Sequence, residues 1–204
     1  CITEVPAERW SVDQYFDPDP DAAGKTYSRW GGFVEGIQRF EPAFFGISAQ
    51  EAQSVDPQER LLLETAWEVF ERAGYSKAAL NESSTGVYVG ICGSEYQTRA
   101  LATVDQIDAY SLLGTAHSAI VGRISYWLGL QGPNLPVDTA RSSSLVALHL
   151  ACMALREGEG EQALAGGVNL LLSPEGHIYF CRLGALSPTG RCHTFSKAAD
   201  GYVR

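Results

Sequence analysis

Apolar residues recur at helical spacing between positions 62 and 73: Leu62, Leu63, Ala66, Trp67, Phe70 and Ala73. The pattern predicts an amphipathic helix over residues 56–74. Asp56 fits its N-cap, Pro57 its first helical position and Glu59 a capping box, and Gly74 ends it. TGVYVGIC, residues 85–92, is apolar and β-rich, which predicts a buried strand. SAIVGRISYWLGL, 118–130, reads as a helix with Gly129 near its end, and NLPVDTA, 134–140, as a short strand. SSSLVALHLACMALREG, 142–158, is apolar nearly all round, so a helix buried on all sides is expected. ALAGGVNLLLS, 163–173, has almost no polar face, as in a strand of a sheet covered on both sides. Residues 1–36 read as an ordered surface loop region, and residues from 174 onward as loop with short elements.

Strands that alternate with helices indicate a layered α/β fold. The 204 residues carry a net charge of −9 with no run of basic residues, which argues against a phosphate-binding face for nucleic acid. No stretch approaches the roughly 18 apolar residues of a membrane span. Five cysteines, Cys1, Cys92, Cys152, Cys181 and Cys192, are scattered and form no CxxC pair. A reduced, cytoplasmic protein without zinc is the simplest reading.

The segment VDTARSSSLVALHLAC, 137–152, concentrates the chemistry. It reads as a strand running into a helix through a sharp turn. A residue there meets unpaired N–H groups and the positive end of the helix dipole. Such a place lowers a thiol's pKa and offers donors to an oxyanion. Yet the residue is Arg141, which stays protonated and has no lone pair for attack. Its charge is disfavoured at a helix N-terminus by about 0.3–1 kcal/mol. Asp138 is a candidate partner for it. Ser142, Ser143 and Ser144 read as first-turn capping residues rather than substitute nucleophiles, because a serine needs an adjacent base. Cys152 stands roughly 16 Å along the helix from position 141 and cannot replace a nucleophile there. Cys152 and Cys181 read as buried apolar residues. His149 reads as a hydrogen-bonded core histidine, and His177 and His193 as loop residues. With His117 they form no set with metal-ligand spacing.

VDTARSSSLVALHLAC resembles the active-site segment of the β-ketoacyl synthases, specifically the ketosynthase domains of modular type I polyketide synthases, where the pattern is VDTACSSSLVA. YSRWGGFVEGIQRFEPAFFGIS, DPQERLLLETAWEVFERAG, GTAHSAIVGRISYWLGLQGP, LAGGVNLLLSPE and LGALSPTGRCHTFSKAADGYVR follow the same family in order. The resemblance implies a thiolase-like fold of layers α-β-α-β-α. Residues 1–204 would be a partial ketosynthase domain, the N-terminal half without its first strand and without the C-terminal half. It implies acyl transfer to an active-site cysteine, then decarboxylative condensation with a malonyl-type thioester. No bound cofactor is implied, since a carrier protein delivers substrate on phosphopantetheine. The implied partners are an acyl carrier protein, a second copy in a homodimer and the rest of a polyketide synthase, with no nucleic acid and no membrane. Arg141 would occupy the nucleophile position, and the family's histidine motifs are absent from the chain. This chain is therefore expected not to condense. The alternative is a non-catalytic module for carrier docking or dimer scaffolding. His177 and His193 would lie near the acyl tunnel by the same resemblance.

Overall fold

The computed structural model describes residues 2–204, with the side chain of Gln106 outside the description. The backbone forms two compact units, one of residues up to 35 and from 170 onward, the other of residues 36–169.

The first unit opens with strand β1, Ile2–Glu4, and helix α1, Val12–Tyr15, and continues to strand β2, Trp30–Gly32. β1 and β2 pair antiparallel, so the N-terminal region is more ordered than a loop. Val5, Trp10 and Leu171 form its apolar core. Polar groups tie its two chain segments together: buried Ser28 Oγ donates to the Ser187 carbonyl at 2.9 Å, and half-buried Tyr27 OH to the Leu186 carbonyl at 3.0 Å.

In the second unit, α2 (Ala49–Ser54) precedes α3 (Pro57–Arg72) and the short α4 (Lys77–Leu80). Asp56 caps α3 as the sequence predicts, its Oδ1 accepting from Gln58 N at 2.8 Å. The capping box does not form. The Asp56 amide is already bound to the Gly114 carbonyl at 2.8 Å, so Glu59 turns inward instead.

Strand β3, Thr85–Gly90, is buried along its whole length. After it come α5 (Glu95–Ala100), α6 (Ala109–Leu113), α7 (His117–Leu128), strand β4 (Asn134–Val137), α8 (Ser143–Glu157) and strand β5 (Gln162–Gly167). The three strands form a parallel sheet in the order β4-β3-β5. Pro136 is tolerated because β4 is an edge strand, where a missing N–H leaves no ladder gap. β3 alternates its side chains between two cores. Val87, Val89 and Ile91 join Leu63, Ala66 and Phe70 of α3 and Ile120, Val121, Ile124 and Leu128 of α7. Tyr88 faces Ala147, Ala151 and Ala154 of α8, whose small side chains let that helix lie close on the sheet.

Within this chain, helix α8 is covered on its sheet-facing side. Its sheet-facing alanines are covered, but Leu145 is 71% exposed and Leu148 50% exposed on the outer face. His149 is likewise exposed rather than a core histidine. β5 is only half-buried and ends at Gly167, short of the expected strand, and Leu170, Leu171 and Leu172 are buried as irregular chain of the first unit. The region from 174 onward, expected to be loop with short elements, contains a further helix of that unit, α9 (Glu175–Arg182), which buries His177 and Cys181.

Candidate functional site

Parallel strands bind ligands at their carboxyl ends, where the following helices present their N-termini. Here Gly90, Val137 and Gly167 end the three strands, and the first turn of α8 lies against that edge. Two glycines permit the approach. A Cβ at Gly90 would stand 2.6 Å from Ser144 N, and one at Gly167 would stand 2.8 Å from Ser144 Cβ.

The turn from β4 into α8 is tightly specified. Asp138 Oδ1 accepts from Ala140 N at 3.0 Å, an Asx-type turn. Ala140 sits at φ 55°, in the left-handed region, a conformation that costs a residue with a Cβ on the order of 1 kcal/mol. Ser143 Oγ closes the loop, accepting from Thr139 N at 3.0 Å and donating to the Ala140 carbonyl at 2.6 Å. Ser142 Oγ donates to the Thr139 carbonyl at 2.9 Å. Ser142 and Ser143 therefore hold the turn, but neither hydroxyl caps an N–H of α8 as the sequence reading expected. A single turn of 3-10 helix, Ala140–Ser142, results, and Arg141 projects from it as an exposed residue. Strain stored just before a presented side chain is the geometry of a nucleophile turn. The side chain it presents is a guanidinium.

Behind this edge lies a buried polar network that sequence reasoning did not anticipate. Gln58 Nε2 donates to the Gly93 carbonyl at 3.2 Å, and His117 Nε2 meets the same oxygen at 3.0 Å. Gln58 also donates to Asp56 Oδ2 at 3.4 Å. Burial pushes the Asp56 carboxyl above its ordinary value, partly offset by the bonds from Gln58 and the charges of His117 and Arg60. One helical turn away, Glu59 is fully buried. Its Oε1 accepts from Arg123 Nε at 3.2 Å, while Arg123 Nη2 reaches Glu51 Oε1 at 2.6 Å. Glu59 Oε2 is buried with no hydrogen-bond partner among the described residues. Desolvation outweighs the Arg123 charge and raises Glu59 to about 8. One signal was available: Glu59 falls on the Leu63–Ala66–Phe70 face of α3, a carboxylate in an apolar stripe.

The other candidates lie elsewhere. His177 is fully buried in α9, its Nε2 3.2 Å from the Trp30 carbonyl and its ring 5.2 Å from that of Trp10. Burial lowers its pKa to about 4, so it is a neutral core histidine of the first unit rather than a loop residue. Cys181 is buried, 3.0 Å from Thr26 Oγ1, and Cys152 is half-buried. Among the described residues no three His, Cys, Asp or Glu side chains converge as a metal site, and no helix is long and apolar enough to cross a membrane.

Comparison with known proteins covers the whole chain. The family described as "Beta-ketoacyl synthase, N-terminal domain" matches residues 1–204. Polyketide synthase GfsB of Streptomyces halstedii is 52% identical over 202 residues, which are 98% of this chain and 4% of that protein. A phenolphthiocerol/phthiocerol polyketide synthase of Mycobacterium tuberculosis is 51% identical over 204 residues, all of this chain and 13% of that protein. Among solved structures, the Streptomyces albus JA3453 oxazolomycin ketosynthase domain OzmH KS7 superposes with a TM-score of 0.91 at 43% identity, over 100% of this chain and 36% of that one. The ketosynthase from module 6 of the Bacillus subtilis 168 bacillaene synthase gives 0.84 at 40%, over 99% of this chain and 32% of that one. The fold is thus the thiolase-like ketosynthase fold, in its N-terminal half, and the chain spans about a third of these solved chains and a small part of the curated relatives.

Proposed function

This chain belongs to the β-ketoacyl synthases, as N-terminal ketosynthase sequence of the modular polyketide synthase type, and on that premise we propose that position 141 is the acyl-accepting position and that Arg141 leaves it unable to accept an acyl group. In the full reaction a cysteine thiolate there attacks an acyl thioester carried on phosphopantetheine. The acyl group passes to sulfur and the carrier thiol leaves. A malonyl-type thioester then loses carbon dioxide, and the resulting enolate attacks the acyl carbonyl and expels the cysteine thiolate. The transfer needs a nucleophile at 141, and the condensation needs the same group to leave.

One observation carries the reading: the strained turn after β4 presents residue 141, exposed, at the carboxyl edge of the sheet beside the first turn of α8. The N-terminal N–H groups and dipole of α8 favour negative charge there, which suits a thiolate or a tetrahedral oxyanion. A guanidinium meets the same field with the wrong sign and has no leaving-group chemistry. The serines at 142 and 143 are engaged in the turn and provide no replacement.

Intact-mass spectrometry after incubation with propionyl N-acetylcysteamine thioester tests this. The protein as it stands is expected to keep its mass. An Arg141→Cys variant is expected to gain one propionyl group, mapped by peptide to position 141. Acylation of the unaltered protein at residues 141–144, or failure of Arg141→Cys to acylate, would overturn the reading.

A further inference from the structure

The Gly93 carbonyl is held in an unusual way. It belongs to the segment that leaves β3, and it takes hydrogen bonds from two side chains on two different helices, Gln58 of α3 and His117 of α7. A carbonyl oxygen only accepts, so His117 carries its proton on Nε2, and both acceptor sites of the oxygen are filled. Gln58 is itself oriented. Asp56 takes its backbone N–H on Oδ1 and its side-chain amide on Oδ2. The N-termini of α3 and α7 thus converge on one loop atom.

That loop has little room to relax. On one side Ile91 N donates to the Val137 carbonyl, at the end of the strand that leads into the Arg141 turn. Immediately before it, Gly90 touches the first turn of α8 at Ser143 and Ser144. On another side, a Cβ at Gly93 would stand 3.3 Å from Asn169 Oδ1, in the segment that follows β5. Residues 91–94 are therefore held between a polar clamp behind the sheet edge and the turn that presents residue 141.

We infer that Gln58 and His117 are positioning residues for the acyl site: by clamping the Gly93 carbonyl they fix the wall formed by residues 91–94, and that wall discriminates among acyl chains offered at position 141. The inference rests on the proposed function. Neither side chain touches the acyl group; both act through the loop.

The test uses the protein carrying this chain with Arg141→Cys, and compares Gln58→Ala, His117→Ala and His117→Gln in that background. Glutamine retains a side-chain N–H donor without the imidazole ring. Acylation rates are measured with propionyl and octanoyl N-acetylcysteamine thioesters. Deuterium uptake of peptides spanning residues 91–94 is measured in parallel, with Arg141 unchanged. A lost hydrogen bond of about 1 kcal/mol corresponds to about a fivefold change in an equilibrium. The two alanine variants are expected to raise exchange in 91–94 and to shift the octanoyl-to-propionyl rate ratio by about fivefold, and His117→Gln to restore both. Unchanged exchange overturns the clamp. Raised exchange with an unmoved ratio reduces Gln58 and His117 to supports of the fold and overturns the inference alone. His117→Gln that behaves like His117→Ala overturns the donor role. An Arg141→Cys protein that accepts neither thioester overturns the proposed function, and the inference falls with it.

Discussion

Glu59 is expected to make the stability of the protein fall as pH rises through neutrality. Two carboxylates, Glu59 and Glu51, share the guanidinium of Arg123, so the trio carries a net negative charge when both acids are ionised. The shorter contact, 2.6 Å, goes to Glu51, which retains some solvent exposure. Glu59 has none, and its Oε2 has no partner among the described residues to stabilise charge. The proton therefore resides on Glu59, with a folded-state pKa of about 8 against an ordinary 4.5. A carboxyl raised in this way binds more proton in the folded state than in the unfolded one between those values. Its contribution is complete below 4.5 and is lost as pH climbs through about 8.

The whole interval corresponds to at most roughly 4–5 kcal/mol at about 1.4 kcal/mol per pH unit. The useful window is narrower. Below its ordinary 6.5, His177 acts in the opposite direction, because a histidine lowered to about 4 contributes stability that is lost as pH falls. Between pH 6.5 and 8 that opposition fades, and the Glu59 contribution is expected to fall by about 2 kcal/mol. Asp56, also raised, adds to the slope in the same sense wherever it titrates. Glu59→Gln mimics the protonated acid and keeps an oxygen for Arg123 Nε. Urea unfolding monitored by tryptophan fluorescence at pH 6.5, 7.2 and 8 should show the variant's advantage over the unaltered protein widening with pH, by about 2 kcal/mol across the series. A variant that is less stable at pH 8 than the unaltered protein would show that Arg123 holds Glu59 ionised, and would refute the reasoning.

Two further outcomes are expected. Gly90→Ala should cost about 1–3 kcal/mol in the same unfolding assay, because its Cβ would meet the backbone of Ser143 and Ser144 at 2.6–2.9 Å and force α8 off the sheet edge; an unchanged midpoint would mean that the approach is slack. Replacing His177 by Phe should abolish its share of the stability loss between pH 6.5 and 4, a share with a limiting slope of about 1.4 kcal/mol per pH unit, and an undiminished loss would assign acid sensitivity to other groups.

The periodic apolar segments were legible because their burial is set by local pattern. Leu63, Ala66 and Phe70 announce α3, and the six residues of β3 announce a strand covered on both faces. Boundaries blurred where apolar residues are buried without regular structure, as at Leu170–Leu172, which extended the expected β5 beyond Gly167. The short pairing of β1 with β2 was hidden because three residues carry too little alternation to register, and their partners lie far apart in sequence. Composition also cannot distinguish a helix that is apolar all round from one that is covered all round. Leu145 and Leu148 have the character of core residues, and none of the described residues covers them.

The candidate site divides along the same line. The turn at 137–143 was legible because its parts are adjacent in sequence, and the structure adds only how Asp138 and Ser143 hold it. The clamp on Gly93 was not, because Gln58, Gly93 and His117 are separated by 35 and 24 residues and meet only after α3, β3 and α7 have assembled. That difference bears on what Arg141 alters. If the clamp and the turn are independent parts, a change at 141 removes the acyl acceptor and leaves the wall beside it intact. The bonds that hold the turn support this: those of Asp138, Ser142 and Ser143 run to backbone groups of Thr139 and Ala140, and Gly93 is held by side chains of α3 and α7. Under the proposed function, restoring a thiol at 141 therefore tests the acceptor with these bonds of the turn left in place.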